Sequence, residues 1–365
     1  MTSKLALQNI GKVYGPRWVV KDFSLTVSEG EFVALLGPSG CGKSTILAMI
    51  AGFVRPDSGT VLINERRVDN VPPQRRNVGL VMQDYAIFSR MTVRQNLEFG
   101  LEMQSMSRPE RRRTVGEFAE RLSLTKLLDR KGAALNLSEM QRVAVARALV
   151  TKPSLLLLDE PMSNLDAAVR SRLRSELKLI QREFGQTVLY VTHDQIEAMS
   201  MADRIAAMRD GVIEQVGSPS EVYRSPRNLY VAKFLGEPPI NLLDCRIEQR
   251  SGGVVICSLP NGELPLRRGI VIEGATILAI RPHHVQVAPA RGGDIGKVKV
   301  ADVENLGAEH VLHLDFGGQH LEAMAAPGFA SVGDLVQVSL DLEHAHLIDP
   351  VTGVVVASGL TEALA

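Results

Sequence analysis

Residues 37–45 read Gly-Pro-Ser-Gly-Cys-Gly-Lys-Ser-Thr, and their types and spacing suit one task, the holding of phosphate. Gly37, Gly40 and Gly42 carry no side chain, so the backbone N–H groups of the loop they share with Pro38, Ser39 and Cys41 can turn inward around phosphate oxygens. Lys43 brings a mobile cation to the β- and γ-phosphates, Ser44 offers its hydroxyl to Mg²⁺, and Thr45 opens the segment that follows. Such a loop needs a strand before it and a helix after it. Residues 31–36 are a short apolar run that reads as a buried strand, and residues 45–50 have helical spacing, which would set the phosphates at a helix N-terminus. A second run, Leu155-Leu-Leu-Leu-Asp159-Glu160, reads as a buried strand ending in two acids. Asp159 is suited to hold Mg²⁺ through water, and Glu160 to polarise an attacking water. An apolar strand ending in Asp-Glu is a weak signal by itself; its place downstream of Lys43, beyond a helical stretch, strengthens it.

The elements that must position these residues are legible in outline. A chain of 365 residues suggests two domains. Strands are expected near 4–10, 23–27, 31–36, 78–82, 155–159, 187–192, 204–208 and 212–215, alternating with helical patterns, which predicts a parallel or mixed sheet covered by helices. Residues 92–150 show no clear strand and read as a helical insertion, with Pro109 at a helix start. Gly236-Glu-Pro-Pro239 is a stiff break, and we place the boundary there, giving domains 1–236 and 237–365. Beyond it, short alternating stretches such as 254–258, 276–281 and 311–315 between Gly-rich turns predict one or two small β-barrels.

Composition narrows the classes. Lys+Arg and Asp+Glu are both 41, so nothing in the overall charge argues for nucleic acid, and Arg111-Arg112-Arg113 reads as a solvated helix face. Cys41, Cys245 and Cys257 do not make a disulfide framework and read as free thiols in a reducing compartment. Met1-Thr-Ser-Lys-Leu5 lacks the apolar core of a signal segment, and no stretch approaches the roughly 18 apolar residues of a spanning helix. Any membrane role is therefore expected to run through a partner.

Residues 37–45, 155–160, Pro161-Met-Ser-Asn-Leu-Asp166 and Val191-Thr-His193-Asp194 occur in this order, and the set resembles the ATP-binding-cassette (ABC) ATPases over roughly the first 235 residues. The resemblance implies an α/β P-loop core with a helical subdomain near 92–150, binding ATP with Mg²⁺. It implies that Gln83 in Val-Met-Gln-Asp-Tyr links Mg²⁺ and water to a transmembrane partner, that Asp166 closes the D-loop, and that His193 is the switch histidine near the γ-phosphate. Tyr14, in Lys-Val-Tyr-Gly, matches the aromatic that stacks on adenine. Taken singly, Tyr14 reads as a half-buried strand residue, His193 as a satisfied strand-end histidine, Gln83 as a polar turn residue and Asp166 as a helix N-cap; the ordered set outweighs these readings.

One element departs from the family pattern. The signature, usually Leu-Ser-Gly-Gly-Gln, should precede a tail that is present here at 141–149. An ungapped register puts Leu135, Asn136, Leu137, Ser138 and Glu139 in its place; a gapped one uses Leu137-Ser138. In either, the Gly-Gly pair is absent. In the family each signature covers ATP held by a second cassette, so an isobutyl group at 137 and a carboxylate at 139 are expected to weaken that contact. A homodimer would have two weak sites, whereas a different partner cassette would complete one strong site on this chain's Lys43, Glu160 and His193.

Phe234-Leu-Gly-Glu-Pro-Pro-Ile-Asn-Leu-Leu243, Ile280-Arg-Pro-His-His284, Glu304-Asn-Leu-Gly307 and His346-Leu-Ile-Asp-Pro350 resemble the C-terminal OB-like (TOBE) regulatory domain of maltose- and glycerol-phosphate-type importer ATPases. His283 and His284 are expected on a strand, facing opposite ways and hence structural rather than metal-binding. The resemblance implies an ATPase subunit on the cytoplasmic face of the inner membrane. It would serve permease subunits, a second cassette and, indirectly, a solute-binding protein in the import of a sugar, polyol or glycerol phosphate. A degenerate regulatory cassette, a polyamine-type importer, and a soluble cassette in nucleic-acid work are the other readings, the last disfavoured by charge and tail.

Overall fold

A computed structural model describes residues 3–163, 165–251, 254–270, 272–289 and 296–361. Asn164, inside the D-loop motif, lies outside the described residues. The chain divides into two compact units, Met1–Pro219 and Ser220–Ala365.

In the first unit, β1 (Ser3–Tyr14), β2 (Arg17–Ser28) and β3 (Phe32–Leu36) lead to α1 (Lys43–Ala51), then β4 (Ser58–Ile63), β5 (Arg66–Arg67) and β6 (Val78–Val81). Three helices follow, α2 (Val93–Met103), α3 (Arg108–Arg121) and α4 (Leu137–Leu149). The unit continues through β7 (Leu155–Asp159), α5 (Ala167–Phe184), β8 (Val188–Thr192), α6 (Gln195–Met201), β9 (Arg204–Arg209) and β10 (Val212–Gly217). The central sheet has the order β10-β9-β3-β8-β7-β6, parallel except for the β9–β10 edge pair. Strands β3 and β8 are buried along their whole length, as is β7 up to Asp159. This is why they read as unbroken apolar runs rather than alternating ones: both faces of a parallel sheet are covered.

That strand order positions the chemistry. Strands β3, β8 and β7 are adjacent and parallel, with Leu36 opposite Thr192 and Asp159 opposite Val191. The residues that follow each strand, 37–45, 193 and 160, therefore emerge side by side at one carboxyl edge, where open parallel sheets place their ligands.

The smaller sheet, β2-β1-β4-β5, is antiparallel. Its β4 and β5 escape sequence reading because Ser58-Gly59-Thr60 and two arginines interrupt the apolar pattern. The insertion is helical as expected. Its core packs Leu97, Leu101, Val115, Phe118, Val143 and Leu149 together. Thr92 begins α2 with a capping box to Gln95, which stops the chain running on from the preceding turn. Arg112 and Arg113 are exposed on α3, as a solvated face requires, but Arg111 is half-buried and donates to the Met106 carbonyl at 2.9 Å, so the run is not solvated throughout.

The second unit begins inside α7 (Pro219–Arg224) and includes α8 (Leu229–Phe234). It continues as antiparallel strands β11 (Asn241–Arg250), β12 (Val254–Leu259), β13 (Gly262–Leu266), β14 (Gly274–Ile280), β15 (Val285–Pro289), β16 (Lys297–Asn305), β17 (His310–Phe316), β18 (Gln319–Ala325), β19 (Leu335–Leu340), β20 (His346–Ile348) and β21 (Val355–Ser358). They form two sheets, β13-β12-β11-β14-β20-β21 and β15-β19-β16-β17-β18. Alternation is clear here, as in β11, whose buried residues Asn241, Leu243, Cys245 and Ile247 fall at every second position. The three cysteines are free and buried.

The division falls at Pro219/Ser220 rather than at the Gly236 break. Arg281 explains this: it is buried, its guanidinium lies 3.8 Å over the Tyr223 ring, and it donates to the carbonyls of Leu235 and, at 3.0 Å, Tyr223. The short helices are thus pinned to the strands that follow them. One expectation is corrected outright. His283 and His284 lie in a 3₁₀ turn, Pro282–His284, not on a strand, because Pro282 starts the turn. Their ring centroids are 4.3 Å apart, so strand alternation does not separate them.

Candidate active site

The loop at 37–45 wraps a cavity of about 430 Å³ walled by Gly40, Gly42, Lys43, Ser44, Gln83 and Glu160. Gly42 has φ +107° and a Cβ there would stand 2.6 Å from the Val19 carbonyl oxygen. A Cβ on Gly37 would stand 2.5 Å from the Met208 carbonyl oxygen. Only glycine lets the loop close. Lys43 is buried, donates to the Gly37 and Pro38 carbonyls at 2.8 and 2.9 Å, and lies 3.7 Å from Glu160 Oε1. Ser44 donates to Asp159 Oδ1 at 3.2 Å. Burial pushes the Asp159 carboxyl up, against the lowering effect of the Ser44 hydrogen bond, and neighbouring Glu160 adds to the rise. A hydroxyl and a carboxylate converging beside a buried lysine form the oxygen donor set that Mg²⁺ takes with nucleotide phosphates, so the residues present fit both groups.

Glu160 adopts φ +43°, left-handed for a residue with a Cβ. Its N–H donates to Val191 at 3.0 Å and its carbonyl accepts from Ser163 Oγ at 3.1 Å. The turn aims its carboxylate back over the cavity, where Oε2 is 2.9 Å from His193 Nδ1. Lys43, Glu160 and His193, each carried on a different loop after β3, β7 and β8, therefore make one line at the sheet edge. Gln83 lies on the cavity wall, with Nε2 donating to Ser163 Oγ at 3.1 Å. Tyr14, at the end of β1, is half exposed, with Lys12 Nζ 5.5 Å from its ring centre.

A family model for ABC transporters matches residues 20–163, and one for the TOBE domain matches residues 278–348. The chain is 42% identical to the trehalose/maltose import ATP-binding protein MalK of Thermococcus litoralis over 95% of its length and 98% of that protein. It is 38% identical to the sn-glycerol-3-phosphate import ATP-binding protein UgpC of Cupriavidus necator over 96% of its length and 98% of that protein. The chain belongs to the ATP-binding proteins of ABC importers. These proteins are ATPases coupled to transport. Among solved structures it resembles cbiO1 of Clostridium perfringens, part of the cbiONQ ABC transporter complex (TM-score 0.57, 29% identity, 61% of this chain and 91% of that one). It also resembles the ATP-binding cassette MJ0796, solved as a dimer in a post-hydrolysis state bound to ADP and phosphate (TM-score 0.53, 32% identity, 59% of this chain and 98% of that one).

In this importer ATPase the segment 135–139 forms a helix start. Leu135 is buried, and Asn136 is the N-cap of α4, its Oδ1 accepting from Glu139 N at 2.9 Å while Glu139 Oε2 accepts from Asn136 N at 3.0 Å. Leu137 is 46% exposed, and Ser138 lies within the first turn. The cap falls where the ungapped register aligns Asn136 with the family's serine. Glu139 is not the bare carboxylate expected from sequence: Arg130 pairs with it at 3.0 Å. Asp166 is the N-cap of α5, accepting from Val169 N at 3.0 Å.

Sequence reasoning missed the residues that hold these loops. Arg147 of α4 donates to the carbonyls of Tyr85 and Ala86 at 3.0 and 2.7 Å, and the Tyr85 hydroxyl donates to Pro161 at 2.9 Å. Helix α4, the segment after Gln83 and the turn after Glu160 are thereby tied together. Tyr85 stands two residues from Gln83 and had that much signal; Arg147 looked like any helix cation. Behind His193, Arg170 donates to Asp194 at 2.9 Å and to the Leu165 carbonyl at 2.9 Å, linking the turn after β7 to the turn after β8. Asp194 caps α6. Buried Glu197 accepts from Tyr190 at 2.7 Å and Thr192 at 2.6 Å, and burial pushes its carboxyl up.

Proposed function

We propose that the chain binds ATP with Mg²⁺ at the carboxyl edge of β3, β8 and β7 and hydrolyses it to power import of a sugar, polyol or glycerol phosphate. Permease subunits carry the solute, a solute-binding protein delivers it, and the chain works as one of two cassettes on the cytoplasmic face of the inner membrane. The single observation that carries this reading is Glu160 held between Lys43, at 3.7 Å, and His193, at 2.9 Å, over a glycine-lined cavity. The importer relatives, whose names specify trehalose, maltose and glycerol phosphate, support the solute class. No helix among the described residues is long and apolar enough to cross a membrane, in keeping with work through permease partners.

The roles follow from the geometry. Lys43 leaves the Gly37 and Pro38 carbonyls to meet phosphate oxygens, and the loop N–H groups at the start of α1 bind the rest of the polyanion. Ser44 and Asp159 would hold Mg²⁺, which when bound would supply positive charge beside the nucleotide phosphates. Glu160 orients and polarises water with its carboxylate, and His193 fixes that carboxylate's direction. Gln83 senses the site from the wall that Arg147 and Tyr85 brace, and Tyr14 offers a flat surface for adenine. Asp166 and the segment Leu135, Asn136, Leu137, Ser138 and Glu139 face a second cassette. Uptake of labelled maltose, trehalose and glycerol 3-phosphate into vesicles holding this chain together with permease subunits of an importer for each solute tests the proposal. ATP-dependent uptake of one of them, lost with Glu160→Gln, is expected; ATP turnover with uptake of none would overturn the solute assignment.

A further inference from the structure

Strands β17 and β18 place two imidazoles and a carboxylate on one face of the second unit. His313 stands directly opposite Glu322 in the antiparallel register, and His320 is two residues from Glu322, hence on the same face. Three donor atoms converge: His313 Nδ1 is 3.4 Å from His320 Nε2 and 3.7 Å from Glu322 Oε1, and His320 Nε2 is 3.2 Å from that same oxygen. A tetrahedral zinc with bonds of about 2.0–2.1 Å has ligand–ligand edges of roughly 3.3–3.4 Å. The triangle's edges, 3.2 to 3.7 Å, bracket that size. The remaining nitrogen of His313, Nε2, is 3.7 Å from Glu304 Oε2 on β16. A carboxylate behind a ligating histidine is the usual outer support of such sites, fixing the ring's tautomer and direction.

We propose that His313, His320 and Glu322 form a binding site for a zinc-class divalent transition metal, with Glu304 orienting His313 and a fourth position open to water. Two imidazole nitrogens favour zinc or its neighbours over Mg²⁺ and Ca²⁺, which take oxygen. His313 and Glu322 are partly buried at 22% and 16% side-chain exposure, whereas His320 is 62% exposed, so the metal enters from the His320 side. A second cluster, His284, Asp341 and His344, fits less well. There the His344 Nδ1 to Asp341 Oδ2 distance of 2.8 Å is that of a satisfied hydrogen bond, shorter than the edge a shared metal needs. Metal bound across β17 and β18 would stabilise the folded second unit, since it binds that state and not the open chain.

The test is a Co²⁺ titration of the full-length chain without nucleotide, read by the visible absorption of tetrahedral cobalt. We expect an equivalent of metal that His313→Ala and His320→Ala each remove, that Glu304→Gln weakens by roughly 10–100-fold, and that His344→Ala and His193→Ala leave in place. In the unsubstituted chain, the His313 and His320 imidazole resonances should shift on adding zinc, a readout that needs no variant to fold. Metal uptake unchanged in His313→Ala and His320→Ala, or those two resonances unmoved by zinc, would overturn the proposal.

Discussion

At Gly42 one methyl group decides whether the phosphate loop closes. A Cβ there meets the Val19 carbonyl at 2.6 Å, and φ +107° is a conformation that residues with a Cβ avoid. Gly42→Ala is therefore expected to destabilise by about 1–3 kcal/mol and to abolish tight ATP binding, checked by urea unfolding and nucleotide titration. A second residue-scale outcome concerns His346, whose imidazole is buried against Ser358 Oγ at 2.8 Å. Burial first, then the nearby charges of Arg281, His344 and His284, lower its pKa to about 4. The unfolded chain takes up this proton near pH 6.5, the folded chain only near 4, so between these values the unfolded state holds more protons. Stability is full above the upper value and falls as pH drops through the window, by up to about 3 kcal/mol at 1.36 kcal/mol per unit. His283 and His284 are also lowered and add to the slope in the same direction. Urea unfolding of the chain at pH 7.5 and pH 5, with His346→Gln flattening the difference, checks this. Of these residues, the glycines of the loop were legible because a missing side chain is itself the signal. His346 was visible only as part of a tail motif, since a sequence does not show what surrounds an imidazole.

At the scale of elements, α4 is the telling case. Its N-terminus is closed by its own side chains, with Asn136 and Glu139 capping each other and Arg130 holding Glu139. The backbone donors that the family's Ser-Gly-Gly leaves free for a second cassette's nucleotide are partly used within the chain, and Leu137 projects beside them. Restoring the family pattern by Asn136→Ser, Leu137→Gly, Ser138→Gly and Glu139→Gln is expected to raise the homodimer's ATP turnover at least about tenfold. Losing one set of transition-state donors elsewhere costs ~10²–10³. Steady-state phosphate release measures it; equal rates would make the segment a neutral variant. Strands β3, β7 and β8 were legible because a doubly covered strand is apolar throughout. By contrast β4 carries Gly59 at φ +77°, and its pattern breaks there. The 3₁₀ turn at His283 and His284 was misread as strand because the apolar run of β14 continues up to Arg281.

For the whole molecule, two cores were legible from the change of texture after residue 236, but their division was not. The side chain that recruits α7 and α8 to the second unit is Arg281, 58 residues from Tyr223 and 46 from Leu235, and no local pattern marks such a tie. A chain ending at Pro219 is therefore expected to fold and bind ATP, while one ending at Gly236 carries helices stripped of their Arg281 anchor and should aggregate more readily. Light scattering with nucleotide titration compares the two. The joint action of motifs brought together by the order β3-β8-β7 is the core of the account, and phosphate release by the purified chain tests it most directly. We expect Mg²⁺-dependent ATP hydrolysis that Lys43→Ala abolishes together with binding. Glu160→Gln should keep ATP binding yet slow turnover by at least about 10²-fold, the scale of a positioned general base. Hydrolysis by the Glu160→Gln chain at the unsubstituted rate would contradict it.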